Sequence, residues 1–121
     1  MPNKFNSNQI DEFNRQGFIV VPGLADETLC QQMTELVEES LDPPLAPLEY
    51  ETDVQYPGSP ADRLSPGGET PRRLLNAYTR DKVFRDWATS PAVVDRVSQL
   101  IGAEHLELSQ NHHNCIMTKH P

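Results

Sequence analysis

Residues Leu74–Gly102 read LLNAYTRDKVFRDWATSPAVVDRVSQLIG and carry the clearest structural signals of the chain. Asp81 can cap a short helix, and Ser90 before Pro91 places an N-cap ahead of a proline at the first helical position. Gly102 supplies a residue that can turn left-handed after the last helical turn. Apolar residues recur at helical spacing between these signals, so we predict two consecutive helices. These residues are Val83, Phe84 and Trp87 in the first helix and Val93, Val94, Val97, Leu100 and Ile101 in the second.

Upstream, residues Gln9–Gly23 (QIDEFNRQGFIVVPG) predict a short helix, a strand and a turn. Ser7 and Asn8 offer N-cap oxygens for a helix over about 9–16, and Gly17 can end it. Phe18–Val21 are aromatic or β-branched and meet a proline-glycine turn, which is typical of a strand.

A longer amphipathic helix capped by Asp26 is predicted next, with an apolar stripe suited to covering a sheet. The pattern then breaks over residues 42–71, where seven of the eleven prolines lie. Tyr56 and Leu64 are the isolated apolar anchors of this stretch. An irregular segment of this length is rare inside a compact domain, and is usually either functional or disordered.

Two β-like runs follow Gly102. Leu106 and Leu108 alternate with polar residues, and a second run covers His113–Lys119. The order of helix, strand, helix, loop, helices and β-runs predicts an α+β domain whose sheet has only begun at Pro121. We therefore expect residues 1–121 to be the N-terminal part of a single larger domain.

Composition excludes several classes of partner. The chain holds 18 acidic and 10 basic residues, a net charge of −8, which argues against binding nucleic acid or an anionic membrane surface. No apolar run is long enough to span a membrane, so a cytoplasmic protein is expected. Cys30 and Cys115 lie far apart without a CxxC pair, so the chain is neither a disulfide scaffold nor a zinc ribbon.

Histidines near the C-terminus are the first candidates for chemistry. His112, Cys115 and His120 could give zinc three donors, but alternate strand residues point to opposite faces. His105 and Glu107 form an H-x-E pair, which is how a non-haem iron triad begins, yet its second histidine would have to come from a distant strand. We interpret both groups as polar residues on a strand, so no metal ligand is assigned. Motifs of nucleotide-binding proteins, serine hydrolases and zincins are absent from the sequence.

Three segments in this order, Gln9–Gly23, Leu74–Gly102 and the closing NHHNCIMTKHP, resemble the N-terminal half of the phytanoyl-CoA dioxygenase family. The resemblance implies a double-stranded β-helix, a jelly-roll of cupin type, and an oxygenase that uses Fe(II) and 2-oxoglutarate to hydroxylate a small-molecule substrate. The family's iron ligands, an H-x-D and a later His, and its 2-oxoglutarate-binding Arg are not among these 121 residues. We therefore expect no catalytic residue and no iron or 2-oxoglutarate binding in this chain alone.

The resemblance also implies cosubstrate-binding residues. The strand before the H-x-D lines the 2-oxoglutarate pocket in the family, which points here to Cys115, Met117 and Lys119, with His113 on the same face. A basic residue before Leu74 can help to hold the cosubstrate, so Arg73, or its neighbour at 72, is a further candidate. Core packing of Cys115 and Met117, and a plain surface charge at Arg73, are the alternative interpretations.

A second hypothesis comes from a different class of function. The chain could be an acidic interaction domain that adds a partner strand to the edge of its unfinished sheet. The sequence specifies neither the substrate nor the oligomeric state.

Overall fold

The computed structural model describes residues 3–111 and 113–120. This part of the chain contains five α-helices, one 3₁₀ turn and three strands. In chain order these are α1 (Ser7–Gln16), α2 (Glu27–Leu41), β1 (Leu48–Tyr50), the 3₁₀ turn (Glu51–Asp53), β2 (Pro71–Leu75), α3 (Ala77–Arg80), α4 (Lys82–Ala88), α5 (Pro91–Ile101) and β3 (Cys115–Met117). The α+β class is confirmed.

Local capping sets the start of the first two helices. Asn6, rather than Ser7 or Asn8, caps α1, because its side chain accepts from the Gln9 amide while the Gln9 side chain accepts from the Asn6 amide. This reciprocal pair satisfies two amides that the helix leaves unbonded. Asp26 caps α2 as predicted, with its carboxylate 2.7 Å from the Leu29 nitrogen.

The helices of the central segment follow their sequence signals. Asp81 accepts from the Val83 amide at the start of α4, and Gly102 ends α5 with φ of 74°. Ser90 is the N-cap of α5 as predicted, but its hydroxyl donates to the Trp87 carbonyl at the end of α4. The same hydroxyl therefore joins the two helices rather than bonding the first turn of the second.

The three strands form an antiparallel sheet in the order β1-β2-β3. Leu74 lies opposite Leu48 on one side and Ile116 on the other, and its side chain is fully buried. Phe5 is the other buried hydrophobic side chain of the described residues, and Gln99 holds its backbone with two hydrogen bonds from α5. The core is therefore small: among the described residues, Leu74 and Phe5 are the buried hydrophobic side chains.

Two predicted strands are wrong. Phe18–Val21 has no strand structure, and Phe18 and Val20 are 57% and 72% exposed. Leu106 and Leu108 also lie in irregular chain. High β-propensity describes a side chain that suits a pleated, half-buried surface. Neither segment has a partner strand within residues 3–111 and 113–120, so neither forms a strand despite its composition.

The 42–71 segment is not simply a loop, because it contains β1, the 3₁₀ turn and the first residue of β2. Thr52 is buried within it and donates to the Gly68 carbonyl. Leu64 is 95% exposed, so it is not the anchor that the sequence predicts. No helix in the described part of the chain has both the length and the apolar character needed to cross a membrane.

Candidate functional site

The register of the sheet places Arg73, Cys115 and Met117 on one face. Arg73 lies opposite Met117, and Leu75 lies opposite Cys115. Residues directly opposite in an antiparallel pair project to the same face, and alternate residues along a strand share it. Glu49 of β1 lies opposite Arg73 from the other side, which completes what we call the arginine face: Glu49, Arg73, Leu75, Cys115 and Met117.

Arg73 is held by a two-bond ion pair. Its Nε lies 3.0 Å from Glu49 Oε1 and its Nη2 lies 2.7 Å from Glu49 Oε2. The side chains are only 17% and 16% exposed. These bonds to Glu49 raise the pKa of Arg73 further above its usual range, against the opposing effect of desolvation, and Cys115 adds a smaller contribution in the same direction. Arg73 is thus a fixed, charged group and not a free surface residue.

Glu49 also lies close to a second arginine. Arg72 Nε is 3.2 Å from Glu49 Oε1, the distance of an ion pair, although this buried nitrogen makes no hydrogen bond in the structure. Arg72 Nη1 lies 3.7 Å from Glu51 Oε2. A register irregularity between Glu49 and Tyr50 accompanies this arrangement. The two arginines are therefore held by two carboxylates, and the cluster is close to neutral.

The remaining predicted residues lie at the ends of β3. Lys119 is exposed and two residues beyond the strand, and His113 is exposed two residues before it. His120 directs Nε2 to the Pro71 carbonyl at 3.1 Å, which ties the chain after β3 to the start of β2. The sequence placed all of 113–119 in one strand, whereas only Cys115–Met117 forms it.

The structure offers no metal centre within residues 3–111 and 113–120. No group of three or more His, Cys, Asp or Glu side chains is placed there to hold a metal ion. His105 and Glu107 are both exposed and lie in irregular chain. The zinc hypothesis also used His112, which is outside the described residues. The residues present thus do not fit an iron or zinc site by themselves.

A cavity of about 230 Å³ lies beside the start of β3. Its walls include three aromatic side chains, Tyr78, Phe84 and Trp87, together with Cys115 and Ile116. Ligand pockets usually enclose roughly 300–1,000 Å³. This smaller space is a gap between α4 and the sheet and does not define a binding site.

Sequence reasoning missed Glu49, because it lies within the stretch interpreted as an irregular loop. Arg80 was missed as well: it donates from Nε to the Leu75 carbonyl at 2.8 Å and from Nη1 to the Leu45 carbonyl at 3.0 Å. It also bonds the Pro47 carbonyl. Arg80 thus fixes the approach to β1 against the end of β2. Every residue has a backbone carbonyl, so the residue types in the sequence do not show which carbonyls accept from Arg80.

We expect Glu51→Gln to lower the pKa of Tyr56. The phenol donates to Glu51, and this bond raises the pKa of Tyr56 above its ordinary value of about 10, with burial adding to the rise and Arg72 opposing it. Because the folded pKa is the higher one, the protonated phenol adds stability below the unfolded pKa, and that stability is lost as pH rises through the folded pKa. The absorbance of tyrosinate measures the change, and the Tyr56→Phe variant identifies the part of the signal that belongs to Tyr56. An unchanged pKa of Tyr56 in the Glu51→Gln variant would contradict the role given to Glu51. The control variant Glu38→Gln, at an exposed position, should leave the pKa of Tyr56 unchanged.

Comparison with known proteins gives one result. The family model of phytanoyl-CoA dioxygenase matches residues 13–121, which is most of the chain. Searches of curated proteins and of solved structures found no significant match. The match begins in α1 and includes every strand of the sheet, so the whole arginine face lies inside it. The chain belongs to the phytanoyl-CoA dioxygenase family.

Proposed function

We propose that this chain is the N-terminal part of an Fe(II)- and 2-oxoglutarate-dependent oxygenase that hydroxylates a small-molecule substrate. The family match over residues 13–121 carries the proposal. Under this proposal, the five helices support the first strands of a double-stranded β-helix, and residues 1–121 belong to a single domain. The described residues do not form an iron site, so no metal-binding role is assigned to them.

The arginine face is the proposed contribution of this chain to the cosubstrate pocket. Arg73 on this face and Lys119, which lies two residues beyond β3, supply positive charge for a carboxylate. Cys115 and Met117 supply soft, weakly polar surface. Glu49 occupies the Nε–Nη2 edge of Arg73, so a ligand carboxylate could use this edge only after Glu49 moves. Lys119 is exposed and needs no such displacement.

Succinate formation by the full-length recombinant protein, and by single variants of it, tests this function. With O2 and a reductant present, we expect succinate and CO2 to form only when 2-oxoglutarate and Fe(II) are both supplied. Lys119→Gln should raise the KM for 2-oxoglutarate by about tenfold, the effect of losing one charge-assisted hydrogen bond, with little change in kcat. Arg15→Gln, an exposed change on α1, is the matched control. A full-length protein without 2-oxoglutarate turnover would overturn the proposed function, whereas an unchanged KM in Lys119→Gln would overturn only the role of that residue.

A further inference from the structure

One oxygen of Glu49 lies between two arginines. Glu49 Oε1 is 3.0 Å from Arg73 Nε and 3.2 Å from Arg72 Nε. The contact with Arg73 is a hydrogen bond, and Glu49 Oε2 accepts a second bond from the same guanidinium at 2.7 Å. Arg72 Nε is buried and has no hydrogen-bond partner among the described residues. The carboxylate therefore bonds one arginine twice and leaves the other, at almost the same distance from Oε1, without a hydrogen bond.

This arrangement gives Glu49 two alternative partners. A buried donor without a partner has lost its hydrogen bonds to water and gained none in return, which costs free energy. A small rotation that aligns Oε1 with Arg72 Nε would supply the missing bond and would weaken the bonds to Arg73. The loss at Arg73 would then be partly offset by the gain at Arg72.

The charge balance of the cluster decides whether Arg73 can attract an anion. Arg72 and Arg73 are balanced by Glu49 and by Glu51, whose Oε2 lies 3.7 Å from Arg72 Nη1. While Glu49 bonds Arg73, that guanidinium already has its counter-charge and its Nε–Nη2 edge is occupied. With Glu49 turned to Arg72, Arg73 would carry an uncompensated charge on a side chain that is only 17% exposed. A bidentate bond from a ligand carboxylate would restore the balance.

We propose that Glu49 regulates cosubstrate binding by exchanging between the two arginines. When a carboxylate of 2-oxoglutarate binds the Nε–Nη2 edge of Arg73, Glu49 turns to Arg72 and accepts a bond from its Nε. Glu49 is thus a positioning residue that competes with the cosubstrate, and Arg72 is the partner that receives it. This inference rests on the proposed function and adds to it a role for two residues that do not themselves bind the cosubstrate.

The affinity of the full-length recombinant protein for 2-oxoglutarate tests the exchange. Calorimetric titration of the Fe(II)-loaded protein without O2 gives the Kd in the absence of turnover. Glu49→Gln should lower this Kd by about tenfold, because a neutral amide competes less well for Arg73. Arg72→Gln should raise it by about tenfold, because Glu49 then has no second partner. Glu38→Gln and Arg15→Gln remove the same charges at exposed positions and should leave the Kd unchanged.

The double variant Glu49→Gln/Arg72→Gln separates the exchange from a simple effect of charge. If each residue altered only the electrostatic potential at Arg73, the two effects would add and the double variant would bind like the unmodified protein. In the exchange, Arg72 acts only by receiving Glu49. The double variant should therefore bind like Glu49→Gln, about tenfold more tightly than the unmodified protein.

The side chain of Arg72 gives a readout that needs no Glu49 variant. In protein labelled with 15N-arginine and loaded with diamagnetic Zn(II), loss of a signal in Arg72→Gln assigns the Nε–H of Arg72. That signal should shift when 2-oxoglutarate binds, because this nitrogen then gains a hydrogen bond to Glu49. This measurement and the Kd of Arg72→Gln decide the question if Glu49→Gln does not fold.

The outcomes distinguish the exchange from the function on which it rests. An unmodified protein that does not bind 2-oxoglutarate would overturn both. Normal binding by the unmodified protein, with no gain of affinity in Glu49→Gln or with additive effects in the double variant, would overturn the exchange alone. An Arg72 Nε–H signal that stays in place at saturating 2-oxoglutarate would also overturn the exchange.

Discussion

Leu74→Ala is expected to lower the free energy of unfolding by about 3–4 kcal/mol, the largest loss from any single truncation in this chain. Leu74 is fully buried at the centre of β2, between Leu48 and Ile116. Removing its branched end loses the transfer free energy of the buried methyl groups and leaves a cavity that the flanking strands cannot fill. Few other side chains in the described structure are buried, so little surrounding core can compensate.

Leu64→Ala is the matched control, because the same atoms are removed from a side chain that is 95% exposed. Its effect should stay within about 0.5 kcal/mol. Urea unfolding followed by circular dichroism measures both variants under one set of conditions. Similar losses at the two positions would show that Leu74 is not the centre of the core.

Local signals account for the parts of the fold that were predicted correctly. Asp26 and Asp81 each satisfy an amide within three residues, and Gly102 needs only its own backbone freedom. Such interactions involve only residues that are close in sequence, so the sequence predicts them directly. The same is true of Cys115 and Met117, which share a face through strand alternation alone.

Strand pairing could not be predicted in this way. Phe18–Val21 has the composition of a strand but no partner in the described residues, whereas Leu48–Tyr50 forms one with only three residues in a proline-rich stretch. Pairing depends on long-range register, which short-range composition does not specify. The role of Glu49 could therefore not be predicted from the sequence, because its partner Arg73 is 24 residues away along the chain.

The Glu49–Arg73 pair should have the largest electrostatic effect on stability. Glu49→Gln keeps the size of the side chain but leaves Arg73 largely desolvated without its counter-charge, and leaves Arg72 close beside it. Breaking one side of a buried pair costs about 3–5 kcal/mol, and partial exposure reduces this to about 2–3 kcal/mol here. Arg73→Met should cost less, about 1–2 kcal/mol, because Arg72 still accompanies the remaining carboxylate.

A double-mutant cycle isolates the pair from these separate costs. We expect a coupling energy of about 1–2 kcal/mol between Glu49 and Arg73, since two charge-assisted bonds in a poorly hydrated site are lost together. Lys82 and Asp86 form the comparison pair on α4, where side-chain exposures of 74% and 52% should limit the coupling to about 0.5 kcal/mol.

Salt distinguishes the two pairs further. Added salt should remove most of the coupling between the exposed Lys82 and Asp86, because ions screen exposed charges, and should change the Glu49–Arg73 coupling little. Denaturant unfolding of the four proteins of each cycle, at low and high ionic strength, measures these couplings. If the Glu49–Arg73 coupling were as small and as salt-sensitive as that of Lys82 and Asp86, Glu49 would not hold Arg73 on the sheet. Arg73 would then be the ordinary surface charge that its sequence context also allows.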